Sequence, residues 1–383
     1  MPYSTPYIIL TLIFLSFSAF QLGMPLEEKT RKYLNYILII IYVLFFGFRG
    51  YIGWDWVNYD PFYKELIPIG SKMSESDFDL GFVFFSRIVK YFFVDYSSFL
   101  LLNSIINVTL LYIFFKKNLP TKYISLAFCA FIAFNGFLLE VELMRNVKST
   151  LLFLISINYI EQRKPFHYFA LILLAISFHW SAIFYLPLYF FLHKKIPLGI
   201  YTAIFIVGTL IYLFQIEYIT PVVKSAAMLL PEDISEKILK YLNASLFSKS
   251  YGFTFGFFER TIMSVLILLT YRKLVTEKKN ILFVNSYLIY IILFLFFSEI
   301  TIVLTRVAGN FGYAYWILIP LIIMYNLRNS KPILAVLFAL IIIGKIHILT
   351  NNVLYKYDSS LFADKKNYKE RLIIYKKNYK QLE

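Results

Sequence analysis

Apolar residues in this chain come in runs of roughly 12–20, separated by short polar clusters, from the first decade of the sequence almost to its end. Run length together with the placement of Lys and Arg between runs predicts about twelve spans: 6–22, 33–48, 97–115, 122–139, 146–160, 166–178, 181–192, 197–214, 260–271, 281–297, 308–326 and 332–349. Inside lipid such a run satisfies its backbone polar groups only as a helix. The alternating ten-residue segments of a membrane β-barrel are absent. The pair 166–178 and 181–192 is short for a span, which predicts extension, tilt or burial within protein. One further segment, FVFFSRIVKYFF at 82–93, places Arg87 and Lys90 on one side of an aromatic helix. That pattern predicts a helix lying in the membrane interface. The fold class is therefore an all-α polytopic membrane protein.

Composition agrees: 59% of residues are hydrophobic and only 16% charged, too apolar for a soluble domain. The N-terminus has no basic n-region and no small-residue cleavage site, so 6–22 reads as a retained span. No fixed-period repeat and no low-complexity linker divides the chain. It reads as one membrane domain over 1–349, with a basic tail over 350–383 and its largest polar loop at 215–259.

The net charge of +15 changes the picture less than it first suggests. Most cations sit in short clusters such as EEKTRK (27–32), KKNLPTK (116–122) and YRKLVTEKK (271–279), all on one side of the predicted bundle. Positive loops mark the cytoplasmic side and contact anionic headgroups, so nucleic acid is not an expected partner and membrane lipid is. The tail, with YKKNYK at 375–380, is the exception: it is basic and falls on the opposite side. Cys129 is the only cysteine, and His167, His179, His193 and His347 are scattered, so neither a disulfide nor a metal site is expected. No cofactor is implied.

The same alternation brings a set of polar residues to the outer ends of spans: Arg49, Asp55, Glu140, Glu142, Arg145, His179 and Arg306. They come from four loops. Each has an ordinary alternative: Arg49 as a snorkelling anchor, Asp55 as a turn residue, Glu142 and Arg145 as a local i,i+3 pair. Charges near lipid are costly, however, and Arg145 with Lys148 at the outer head of a span runs against the orientation bias. Arginines grip phosphate oxygens with two parallel bonds, and a nearby carboxylate or imidazole accepts a hydroxyl proton. A face with these groups suits a lipid-linked phosphate or pyrophosphate. Trp54, Trp56, Tyr59, Tyr63 and Trp180 are candidates to stack on sugar rings, or form the ordinary interfacial belt.

The stretch Arg49-GYIG-W-Asp55, followed by Tyr59 and Tyr63, resembles the RxxxGxDxxxYxxxY signature of the EpsG/Wzy-like bacterial polysaccharide polymerases. Further pieces come in that family's order: DLGFVFF (79–85), LMRNVKSTL (143–151), SFHWSAIFYLP (177–187) and the tyrosine-rich NNVLYKYDS (351–359). Asp79 stands where Glu is commoner, which keeps the charge. Asn146 stands where Gln is commoner, which weakens that piece. The resemblance implies a GT-C-like membrane glycosyltransferase of the bacterial inner membrane, with its site facing the periplasm or exterior. It implies polymerisation of undecaprenyl-pyrophosphate-linked oligosaccharide units for O-antigen, capsule or exopolysaccharide. A chain-length regulator protein is a further partner it allows.

On this reading Arg49, Arg145 and Arg306 hold the departing pyrophosphate, with Tyr59, Trp54 and Trp180 as further substrate contacts. Asp55, His179 and Glu142 are the candidates for base. Asp55 is favoured to take the acceptor proton or position the acceptor, because its loop matches the family best. A single displacement inverts the anomeric centre. The rivals are a single-sugar transferase using a polyprenyl-phosphate donor, a transporter of lipid-linked sugar, and a membrane acyltransferase. A transporter would carry charge through mid-bilayer and often shows repeat symmetry. Neither is visible here.

Overall fold

The computed structural model describes residues 2–67, 78–229, 235–236, 252–300, 307–326, 328–361 and 367–379. The apolar runs form helices throughout, and the described chain divides into two compact units, Met1–Tyr189 with Pro332–Glu383, and Phe190–Lys331.

The first unit begins with α1 (Thr5–Gly23) and α2 (Glu28–Tyr42), the latter running on through a π turn at Val43–Gly47. Two helices follow that are too polar or too short to span: α3 (Trp56–Glu65) and α4 (Leu80–Phe92). Then come α5 (Tyr96–Asn118), α6 (Ile124–Phe131), a π turn at Ile132–Gly136, α7 (Phe137–Val141), α8 (Met144–Glu161) and α9 (Pro165–Phe178). A 3-10 helix occupies Trp180–Phe190. The second unit holds α10 (Leu198–Leu213), α11 (Ile219–Ala227), α12 (Phe255–Leu274), α13 (Lys278–Phe296) and α14 (Tyr313–Tyr325). The chain returns to the first unit with α15 (Lys331–Thr350), a 3-10 turn at Val353–Tyr355 and α16 (Asn367–Tyr379).

Among the described residues seven helices are long and apolar enough to cross a membrane. The shorter apolar segments fall at 165–178, 180–190 and 198–213, and the first two are the pair whose shortness stood out in the sequence. The 3-10 form has a physical use there. At about 2.0 Å per residue an eleven-residue segment reaches roughly 22 Å, where an α-helix would reach roughly 16 Å. Much of the 215–259 loop lies outside the described residues.

The helix α4 is amphipathic in an inverted sense. Phe84, Tyr91 and Phe92 face outward, while Arg87 and Lys90 face the protein. Lys90 Nζ donates to the carbonyls of Tyr63 at 2.8 Å and Val94 at 3.0 Å. Arg87 Nε donates to the Ile67 carbonyl. The two cations thus satisfy carbonyls at and beyond the C-terminal end of α3, where the helix dipole is negative. The aromatic face is left for lipid, as expected of an interfacial helix, but the charged side is the buried one. Tyr63 stacks on Phe99 at 4.3 Å, and Tyr59, Phe82 and Met144 join the same core. This cluster seats α3 and α4 on α5 and α8.

Candidate active site

Arg49 stands two residues beyond the π turn at Val43–Gly47. A π turn shifts which face the following residues present, and such turns recur at functional sites. Its guanidinium is buried: it donates to the carbonyls of Phe46 at 2.6 Å and Glu140 at 2.8 Å, and lies 3.6 Å from the Glu140 carboxylate. Glu140 also accepts from Ser104 Oγ and from Asn107 Nδ2 at 2.8 Å. The Asn107 oxygen in turn accepts from Lys148 Nζ at 2.6 Å. Every member of this Arg–Glu–Asn–Lys chain is committed, which is what makes charge burial tolerable.

Just beyond Arg49 the backbone pairs with the segment after α15. Gly50 N–H donates to Asp358 O at 2.9 Å, Gly53 N–H to Leu354 O at 3.0 Å, and Ser360 N–H to Phe48 O at 2.8 Å. Glu142 clamps this junction: its Oε1 accepts from the Trp54 N–H at 3.1 Å and from the Tyr355 hydroxyl at 2.7 Å. Burial, and then the facing Glu142, push the Tyr355 phenol far above its ordinary range, so it stays a donor. Tyr357, stacked on Phe45 at 4.3 Å, is pushed up to about 12 by burial. The clamp requires glycine at 53, where φ is +83° and a Cβ would lie 2.6 Å from Glu142 Oε1. Gly53→Ala is expected to cost roughly 1–3 kcal/mol of stability. Thermal unfolding in detergent reads this directly, and an unchanged melting temperature would count against the clamp.

A second, partly exposed cluster stands at the same end of this unit. Asp79 precedes α4, Arg145 lies in the first turn of α8 and His179 ends α9. Asp79 Oδ2 is 2.7 Å from Arg145 NH1 and 3.3 Å from His179 Nδ1. The meeting of α4 and α9 depends on Gly81, where a Cβ would lie 2.8 Å from the Ser177 backbone carbonyl carbon. Only this close crossing brings residues 79 and 179 side by side. Arg145 lies over the Phe78 ring at 4.8 Å, and its Nε is buried with no hydrogen-bond partner among the described residues. Burial raises the Tyr59 hydroxyl, Arg145 draws it back and Asp55 pushes it up. Asp55 also acts on Tyr355, so its carboxylate bears on both clusters.

The expected residues are thus distributed unevenly. Arg145 and His179 are brought together; Asp55, at the N-cap of α3, stands near Tyr59. Arg49 and Glu142 are buried, each engaged in hydrogen bonds with the protein. Tyr59 is packed by Phe78 and Phe82, so its ring face is not open to a sugar. Trp54 meets Tyr375 of α16 edge-on at 5.8 Å, and Trp180 is well exposed. Arg306 lies outside the described residues. Asp79 was not among the expected site residues. Its signal was an acid immediately before an aromatic helix, in a segment already set apart by resemblance. Among the described residues no three His, Cys, Asp or Glu side chains gather closely enough to hold a metal ion.

No curated protein and no solved structure matches the chain. A family model does: the one described as the EpsG family matches residues 32–360. That stretch contains both clusters and the returning segment that closes over them, from Arg49 through Asp79, Arg145 and His179 to Ser360. With a helical membrane architecture and a match over most of its length, the chain belongs to the EpsG family, whose members are polysaccharide polymerase-like membrane proteins.

Proposed function

We propose that this protein is an integral-membrane glycosyltransferase that joins undecaprenyl-pyrophosphate-linked oligosaccharide units at the outer face of the bacterial inner membrane. The observation that carries the reading is the Asp79–Arg145–His179 cluster, assembled from three separate segments at one end of a helical unit.

The chemistry follows from the groups present. The acceptor hydroxyl oxygen attacks the anomeric carbon of the donor. The bond from that carbon to the pyrophosphate oxygen breaks, and the electron pair leaves with the pyrophosphate. Arg145, partly exposed, stabilises the charge as it develops. The hydroxyl proton needs an acceptor. Nδ1 of His179 faces the Asp79 carboxylate, which favours the neutral tautomer protonated on Nδ1. Nε2 then carries the lone pair and serves as base, with Asp79 stabilising the imidazolium that results. Asp55 positions the acceptor or shares this task. Arg49 and Glu142 act through the backbone they hold, and Trp54 and Trp180 supply flat surfaces for sugar rings.

Purified protein in nanodiscs, given an undecaprenyl-pyrophosphate-linked repeat unit, is expected to yield a ladder of products spaced by one unit. The new linkage is expected to be inverted relative to the donor, as read by NMR of the product. A product only one sugar longer moves the function to a single-sugar transferase, and a retained anomeric configuration defeats the single displacement.

A further inference from the structure

The second unit contains a cation that the reading above does not use. Arg260 lies in the second turn of α12, partly exposed. Its guanidinium carbon stands 3.7 Å from the centre of the Phe294 ring and 5.5 Å from that of Tyr290. Nε donates to the Tyr290 hydroxyl at 2.8 Å. Stacking and this bond fix the plane of the fork. NH1 and NH2 donate to no group among the described residues. Glu259, the adjacent acid, accepts instead from the Tyr315 hydroxyl on another face of the helix.

The setting is prepared rather than incidental. The absence of a side chain at Gly256 leaves the fork its place, since a Cβ there would lie 2.5 Å from Arg260 NH1. Phe257 stacks on Tyr212 of α10 at 4.9 Å and anchors this turn. Phe253 and Phe258 are exposed next to it. A rigid guanidinium with two idle nitrogens fits phosphate oxygens. Exposed phenylalanines at the head of an apolar helix fit a hydrocarbon chain attached to that phosphate, and do not fit a freely soluble anion.

We infer that Arg260, seated on Phe294 and Tyr290, is a lipid-phosphate binding site distinct from the Asp79–Arg145–His179 cluster. Two lipids carry this chemistry: an anionic phospholipid, and a polyprenyl pyrophosphate. Assigning the second rests on the polymerase reading, in which donor and acceptor each bring a pyrophosphate.

The test uses the full-length protein in phosphatidylcholine nanodiscs, with undecaprenyl pyrophosphate and phosphatidylglycerol as separate probes and bound lipid counted by native mass spectrometry. Arg260→Gln is expected to weaken one of the two probes by about tenfold or more. Arg145→Ala is expected to leave that binding event in place. Arg260→Lys keeps the charge and the ring contact but loses the fork, and is expected to fall between; it also reads the site should the Gln variant fail to fold. Loss of undecaprenyl pyrophosphate makes this a substrate site, and loss of phosphatidylglycerol alone makes it a phospholipid site. If neither probe responds to Arg260→Lys or Arg260→Gln, Arg260 is a packing residue and the inference falls. Arg260-dependent binding in a protein that makes no ladder removes the polymerase reading and leaves the site. A ladder with Arg260-independent binding does the reverse.

Discussion

Arg145→Ala is expected to lower the rate of polymer formation by about 10²–10³-fold, the usual effect of removing one donor from a site of developing negative charge. Membrane insertion and melting temperature should change little, because Arg145 is partly exposed and its ion pair to Asp79 is partly solvated. Arg145→Lys restores charge without the two-pronged grip and is expected to recover only part of the rate. Ladder formation in nanodiscs, timed against wild type, reads both variants. A ladder that persists at near wild-type rate in Arg145→Ala discards the Asp79–Arg145–His179 site while leaving the function standing.

Glu140→Ala is expected to destabilise the first unit by roughly 3–5 kcal/mol, because it strands buried cations. Arg49 is 3% exposed and loses its only carboxylate partner among the described residues. Asn107, which relays to Lys148, loses its acceptor as well. Thermal unfolding and the yield of folded protein from membranes report the loss. The double variant Glu140→Leu with Arg49→Met removes both charges together, and is expected to recover much of the stability. It also separates two roles of Arg49. A stable double variant with full activity makes Arg49 purely structural. A stable but inactive one gives it a part in catalysis beyond its part in folding.

Much of the architecture was legible in the sequence because lipid imposes a simple rule: apolar run length translates into helix. The runs 97–115 and 332–349 lie within α5 and α15, and 281–297 ends one residue beyond α13. The sequence also placed Arg145 and His179 at ends of predicted spans, and the fold brings both against Asp79. Pairing was not legible. Glu140 and Glu142 are two residues apart, yet one is buried against Arg49 and the other clamps Trp54 to Tyr355. Helix α7 ends at Val141, so Glu140 lies in its last turn and Glu142 in the break before α8, and no local pattern announces that break. Which side of α4 faces lipid also escaped periodicity, because its cations turn inward to carbonyls that only the folded chain supplies. Asp79 was hidden because its partners, Arg145 and His179, lie 66 and 100 residues further on.

The pairing of the 48–53 strip with residues 354–360 bears on when this end of the protein is completed. Ser360 and Phe48 are 312 residues apart, and bacterial or eukaryotic ribosomes need roughly 15–60 s to cover that distance at ordinary elongation rates. Throughout that interval the loop bearing Asp55 has emerged, but the Tyr355 hydroxyl and the Leu354 and Asp358 carbonyls that secure it do not yet exist. The 48–53 strip therefore stays unpaired in a nascent chain until α15 and the stretch beyond it have been made and have folded back. A chain cut just after α15 would keep that helix and leave the 48–53 strip without the backbone partners that latch it.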